Sequence, residues 1–263
     1  MAGVLLVDRP AEGVLRLRIN RPDKRNAIDH DVRQALTEAL LAARDDASVR
    51  ALVFGGSGGV FSAGGDLPSM AGLSEEQARE RMRHIHVLCR LVADAGVPVI
   101  SAVEGFGAGG AVGLALLGDL IVVGRGSRLL FPFLKLGLAP DWGLLRTLPA
   151  RVGLSTARRL LTDGQIVDGE EAARIGLADE FVGDSDVMQV AIERAGVLSR
   201  LPLTAFSRMK ERLNEPASTL DGELQREEDD QAELLRSADF QEGYAAFGER
   251  REAHFTSPLG RRS

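Results

Sequence analysis

Cysteine occurs once in this chain, at position 89, so an intramolecular disulfide is impossible and no cysteine-based metal site can be assembled. A reducing, cytoplasmic setting is expected. Excess positive charge is also missing: the formal net charge is −6, which argues against a nucleic-acid partner, because such binding depends on Lys and Arg displacing counterions. Apolar runs are short. None approaches the roughly 20 residues needed to span a bilayer, and the opening residues lack a basic leader, so no membrane partner and no signal peptide are expected. No linker rich in Pro, Gly or Ser divides the chain, and no repeat recurs at a fixed period.

What is present fits one α/β unit. Hydrophobic residues make up 44% and charged residues 27% of 263 positions, enough for a large core under an ordinary solvated surface. Residues 14–19 alternate apolar and charged side chains, as in a strand with one wet face near a sheet edge. The runs 51–54, 97–103 and 120–123 are continuously apolar, which predicts strands covered on both faces. Asp29 is positioned to cap a helix carrying Val32, Leu36, Ala39, Leu40 and Ala43, and a second long helix is predicted over 75–95. A small-residue helix begins near Gly109. From about Leu154 the pattern is helical and charged, with helices expected over 170–174, 187–198 and 222–236. The acidic run 227–230 reads as a solvated helix face, and Cys89 as inert packing on its helical stripe.

Two glycine-rich segments, 55–67 and 104–111, each follow a predicted strand. Glycine lets the backbone approach a ligand and aim N–H groups at it, and the second segment runs into a helix N-terminus, where unpaired donors favour negative charge. An oxyanion is the natural guest. Tight strand-to-helix packing is the alternative for either segment alone.

The ordered set of motifs resembles the crotonase (enoyl-CoA hydratase/isomerase) superfamily. RPDKRNA at 21–27 is similar to that family's first signature, FSAGGDL at 61–67 to its second, GFGAGG at 105–110 to its third, and the stretch from 163 to 179 to a downstream segment. The resemblance implies a crotonase-like spiral of ββα units over 1–200 with a C-terminal helical region, 201–263, that serves oligomerisation and covers the pocket. It also implies a homotrimer or a dimer of trimers. The backbone N–H groups of Gly65 and Gly110 would hold a thioester oxygen, while Lys24, Arg25, Ala27, Ala63, Gly64, Asp66, Leu67 and Phe133 would line the coenzyme A and acyl pocket. No metal and no permanently bound cofactor are implied; coenzyme A enters as part of the substrate.

Hydratases of this family use two glutamates. An ungapped count along the chain puts the first on Gly113 and the second on Phe133, neither of which can accept a proton. Asp141, in GLAPDWG at 137–143, resembles the aspartate of certain crotonase isomerases, among them dienoyl-CoA and epoxyphenylacetyl-CoA isomerases. Leu138, Ala139, Trp142 and Leu144 are expected to desolvate its carboxylate and raise its pKa. Shifting a double bond in an enoyl-CoA by proton transfer through Asp141 is the leading expectation. The alternatives are a hydratase with relocated catalytic groups, a non-catalytic acyl-CoA binding protein, and an aspartate-dependent hydrolase or dehalogenase. In the last, His86 and Asp141 would act together, as their placement about Gly110 is similar to that in 4-chlorobenzoyl-CoA dehalogenases. For Asp141 the bland reading is an N-cap on a helix over 142–148; for His84 and His86 it is a structural place beside the stripe of Ile85, Leu88 and Val92.

Overall fold

The computed structural model describes residues 3–183 and 186–259; positions 1–2, 184–185 and 260–263, including the end of the expected helical region, lie outside them. Strands β1 (Leu5–Ala11) and β2 (Val14–Ile19) form an antiparallel hairpin at one edge of a six-stranded sheet. The charged side chains of β2 are used across that hairpin, where Arg16 grips both oxygens of Asp8 at 3.0 and 2.5 Å. Beyond it β3 (Ala51–Gly56) and β4 (Val99–Val103) join in parallel, followed by β6 (Leu120–Gly124) and β9 (Glu180–Val182).

The continuous apolar runs are explained by the two faces. Leu52, Phe54, Val99, Val103, Ile121 and Val123 enter the larger core, whereas Ala51, Val53, Ile100, Ala102 and Val122 lie under Val187, Ala191 and Ala195 of α6 (Val187–Leu198). Three short strands make a second sheet: β5 (Phe106–Ala108) and β7 (Arg128–Leu130) are parallel, and β8 (Val167–Asp168) is antiparallel to β7. The sequence pattern did not resolve these, since two or three residues are too few for a period to show.

Helices α1 (His30–Asp45), α3 (Gly110–Leu116) and α4 (Leu144–Asp163) each follow a pair of strands, and α2 (Glu75–Ala93) follows β3 alone. As expected, Asp29 caps α1 by accepting from the Val32 N–H at 3.0 Å. Ser74 and Gln77 form a capping box at the start of α2, whose first turn is acidic and whose last turn carries Arg90. Short α5 (Gly169–Arg174) follows β8.

The C-terminal region holds α7 (Leu203–Asn214), α8 (Leu220–Leu234) and α9 (Ala238–Glu249). It is tied back to the sheet at two places. Arg50 donates to the carbonyls of Ser199 and Leu201, at 2.7 and 2.9 Å, and of Ser257 at 3.1 Å. Buried Lys210 pairs with Asp119 at 2.8 Å, and Asp119 also accepts from the Val99 N–H. Within the acidic run, 227–229 are solvated, but Asp230 is buried and ion-paired to Arg208 and Arg212. Among the described residues no helix is long and apolar enough to cross a membrane.

Candidate functional site

Three loop segments are stitched together at the ends of β2, β3 and β4. Arg25 and Asn26 take left-handed backbone angles (φ 49° and 56°), which turns the Asn26 side chain inward. There its amide donates to Val60 O at 2.6 Å and Ser57 O at 2.9 Å, and its oxygen accepts from the Arg21 N–H. Ser62 Oγ donates to Asn26 O at 2.7 Å and accepts from the Gly64 N–H at 3.0 Å. The first motif is thereby locked to the second. Ser62 is also paired with the third, through Ser62 N–H to Phe106 O and Ala108 N–H to Ser62 O.

This stitching decides which amides remain free. Ile28 N–H donates to Gly64 O at 2.7 Å and Asp66 N–H to Ile28 O at 3.2 Å. That is a parallel bridge, and it turns the intervening Gly65 N–H to the opposite side. Gly110 is the first residue of α3, where an N–H has no intrahelical acceptor, and the Gly109 carbonyl is taken by Val112 and Gly113. Neither the Gly65 nor the Gly110 N–H finds a partner among the described residues. The two are neighbours: a Cβ on Gly64 would run into the Ala108 carbonyl and lie 3.5 Å from Gly110 N. Gly64, at φ 85°, is therefore required for the close approach.

Asp141 comes to the same place from the chain ahead of α4. Trp142 (φ 54°) and Gly143 (φ 73°) are both left-handed, and α4 starts without any side-chain cap, so the N-cap reading of Asp141 is overturned. Instead, the 141–142 segment lies along α3. A Cβ on Gly113 would sit 2.5 Å from Trp142 Cβ and 3.4 Å from Asp141 O, and one on Gly110 would sit 2.5 Å from Trp142 Nε1. Asp141 Oδ1 is buried with no hydrogen-bond partner. Burial pushes its carboxyl above the usual carboxylate range, while the charges of Arg81 and His86 on α2 pull the other way. Leu138 and Ala139, expected to shield it, face solvent; buried Trp142 and Leu144 remain.

The other sequence-derived positions divide by exposure. Phe133 is buried, its ring 3.8 Å from the Cβ position of Gly109. Ala27 is buried, Ala63 and Asp66 are half-buried, and Leu67, Lys24 and Arg25 are exposed. Asp66 is held by Arg21 at 3.5 Å and caps a short turn at Ser69. His86 is exposed, and His84 is half-buried with its ring centroid 5.3 Å from that of His30, at the border of the stripe. Cys89 is pushed up to about 12, chiefly by burial, with Asp141's charge adding to it, so its thiol stays protonated.

Two further residues went unread in the sequence. Arg81 Nη2 lies 3.2 Å from the Cβ position of Gly65, beside Met70 Cε at 3.1 Å. Arg33, on α1, is buried between the helices with Nε and Nη1 unbonded. Burial lowers the pKa of both guanidiniums; Arg81's charge lowers Arg33 further, while Asp141 and Asp29 oppose the shifts in Arg81 and Arg33 respectively. A signal was present. Arg33 precedes Leu36 and Leu40, and Arg81 precedes Ile85 and Leu88, at the spacings of each helix's buried stripe.

The fold and the paired glycine loops define an α/β protein of the crotonase type, and sequence comparison agrees: the profile described as Enoyl-CoA hydratase/isomerase matches residues 9–258. The chain belongs to that family. It is 33% identical over 250 residues to 1,2-epoxyphenylacetyl-CoA isomerase of Escherichia coli, covering 93% of this chain and 95% of that one. It is also 33% identical over 243 residues to crotonyl-CoA hydratase of Syntrophomonas wolfei, covering 92% and 94%. The crystal structure of an enoyl-CoA hydratase from Polaromonas superposes with a TM-score of 0.91 at 29% identity, covering 96% of this chain and all of that one (100%).

Proposed function

We propose that this acyl-CoA enzyme moves a double bond along an enoyl-CoA thioester, with Asp141 as the single proton carrier. The N–H groups of Gly65 and Gly110 receive the thioester oxygen, so that negative charge developing there on removal of an α or γ proton meets two fixed donors. Such preorganised donors in a dry site contribute roughly 3–4 kcal/mol each to the barrier. Asp141 takes the proton from one carbon and returns it to another. Exposed Lys24 and Arg25 attract the phosphates of coenzyme A, and Phe133 and Trp142 wall the acyl chain.

One observation supports this choice over hydration: Asp141 Oδ1 is buried and unbonded on the segment that lies along α3, the helix that begins at Gly110, and residues 113 and 133 offer no second acid or base. Adding water takes a group to activate it as well as a group to protonate carbon; moving a proton takes one.

The test is incubation with a panel of enoyl-CoA thioesters in deuterated water, read by mass spectrometry. Deuterium uptake with double-bond migration and no gain of water is expected, and Asp141→Asn should lower the rate at least about a hundredfold. Hydration by the parent protein would overturn the proposal in favour of a relocated hydratase. Thioester binding with neither exchange nor hydration would leave a binding protein.

A further inference from the structure

We propose that Arg33 and Arg81 form an oxyanion subsite for a carboxylate carried on the acyl group, so that the substrate is the coenzyme A monothioester of a short dicarboxylic acid. The inference rests on the acyl-CoA reading and narrows it.

Arg33 is only 5% exposed, yet its Nε and Nη1 donate to nothing, and Arg81 Nε is likewise buried and unbonded. Both side chains line a 240 Å³ hollow between α1 and α2, together with His30, Ser69, Gln77 and His84. Among the described residues no hydrogen bond or ion pair joins a carboxylate to either guanidinium, although the charge of Asp141 acts on Arg81 and that of Asp29 on Arg33. Asp29, the acid nearest Arg33, is held by Arg21 at 3.0 Å and by the cap of α1, and Glu80 at the rim pairs with neither arginine. Arg33 and the partly buried Arg81 repel each other and have lost water, so an arriving anion would offset that cost. The planar guanidinium fork matches a carboxylate's two oxygens.

Position selects the source. Arg81 Nη2 is 3.2 Å from the Cβ position of Gly65, whose N–H is proposed to hold the thioester oxygen. A carboxylate on Arg81 is then a few atoms from that carbonyl. The hollow has the volume of about eight waters, which suits a few carbons and a carboxylate and is too small for coenzyme A. A single enolate oxygen does not satisfy two forks.

Isothermal titration of the full chain with butyryl-CoA, succinyl-CoA, glutaryl-CoA and free coenzyme A tests this. At least one dicarboxylic thioester should bind about tenfold or more tightly than butyryl-CoA. Arg81→Gln should bring that ratio toward one through loss of the dicarboxylic ester, and Arg81→Lys should recover part of it. Equal affinity for all three thioesters overturns the inference and leaves the acyl-CoA reading standing. So does an Arg81→Gln variant that weakens free coenzyme A and every thioester by one factor, which would assign the arginines to phosphate. Failure of every thioester to bind overturns the acyl-CoA reading, and this inference with it.

Discussion

Asp141 has one oxygen shut off from water and from every donor, so ionising it costs the folded chain free energy that the unfolded chain does not spend. The sign follows from the raised pKa. Between the ordinary aspartate value and the folded one, the native state keeps a proton that the unfolded state has lost, so stability falls as pH rises through that window; above it the whole penalty is present. Asp141→Asn should therefore melt a few degrees higher than the parent at neutral pH, since each ~1 kcal/mol is worth roughly 2–4 °C at this size, while its turnover is lost. A merely structural aspartate would lose stability instead. On the proposed mechanism turnover needs the carboxylate, so its acid limb should lie above the ordinary aspartate range. Removing the opposing charge with Arg81→Gln should move that limb to still higher pH, and an unmoved limb would show that another group titrates. Asp141 was legible in the sequence because its surrounding motif is distinctive. Arg33 and Arg81 were not, because an arginine at the end of an apolar stripe looks the same whether its tip reaches water or turns inward; only the packing of α1 on α2 decides.

At the scale of elements, α3 and the approach to α4 are fitted to each other without slack. Gly110 and Gly113 lie on one face of α3, a turn apart, and Trp142, 2% exposed and held at φ 54°, occupies the space that side chains there would fill. The glycine at 113 and the buried Trp142 are one structural fact. Gly113→Ala should cost about 1–3 kcal/mol, as overpacking of a filled core does, and should impair turnover by displacing Asp141. Gly196→Ala is the control: it sits in α6 with nothing within 4 Å of its Cβ position, so helix propensity makes it neutral or up to ~1 kcal/mol stabilising. Thermal melts of the pair check both; a harmless Gly113→Ala would mean that the 141–142 segment is loosely held. The same contrast explains which elements the sequence disclosed. β3, β4 and β6 stood out because both their faces are covered, α1 and α2 because one face is. The expected helix over 142–148 and the charged one beyond it proved to be α4, interrupted at Gly153. Its start was misread because two left-handed residues turn Asp141 away from the helix.

For the whole molecule, the outstanding feature is how little of the C-terminal region is covered. Helices α7 and α8 are joined by ion pairs of Arg208 and Arg212 to Glu233, Asp230 and Glu223, a polar seam that leaves the apolar side chains turned outward. Leu220, Leu224, Leu235, Tyr244 and Phe247 are all at least half exposed, Phe247 at 86%. Pro202, Leu235, Phe240, Tyr244 and Phe247 surround a 470 Å³ hollow floored by Phe255. A contiguous apolar surface of this kind is costly in a monomer and normal in a subunit interface. The homotrimer, or its doubled form, that the family resemblance implied would supply a cover made of other copies of this chain. Light scattering on the eluted protein should then give three or six times the mass of one chain. Phe247→Asp places a charge where apolar surface would be buried, and should shift the mass toward one chain while far-ultraviolet circular dichroism stays unchanged, because that side chain supports nothing within its own protomer. A parent protein that elutes as a single chain would refute the assembly. If Phe247→Asp dissociates the assembly and also weakens coenzyme A binding, the same helices close the pocket of a neighbouring protomer; if binding survives, each protomer carries a complete site.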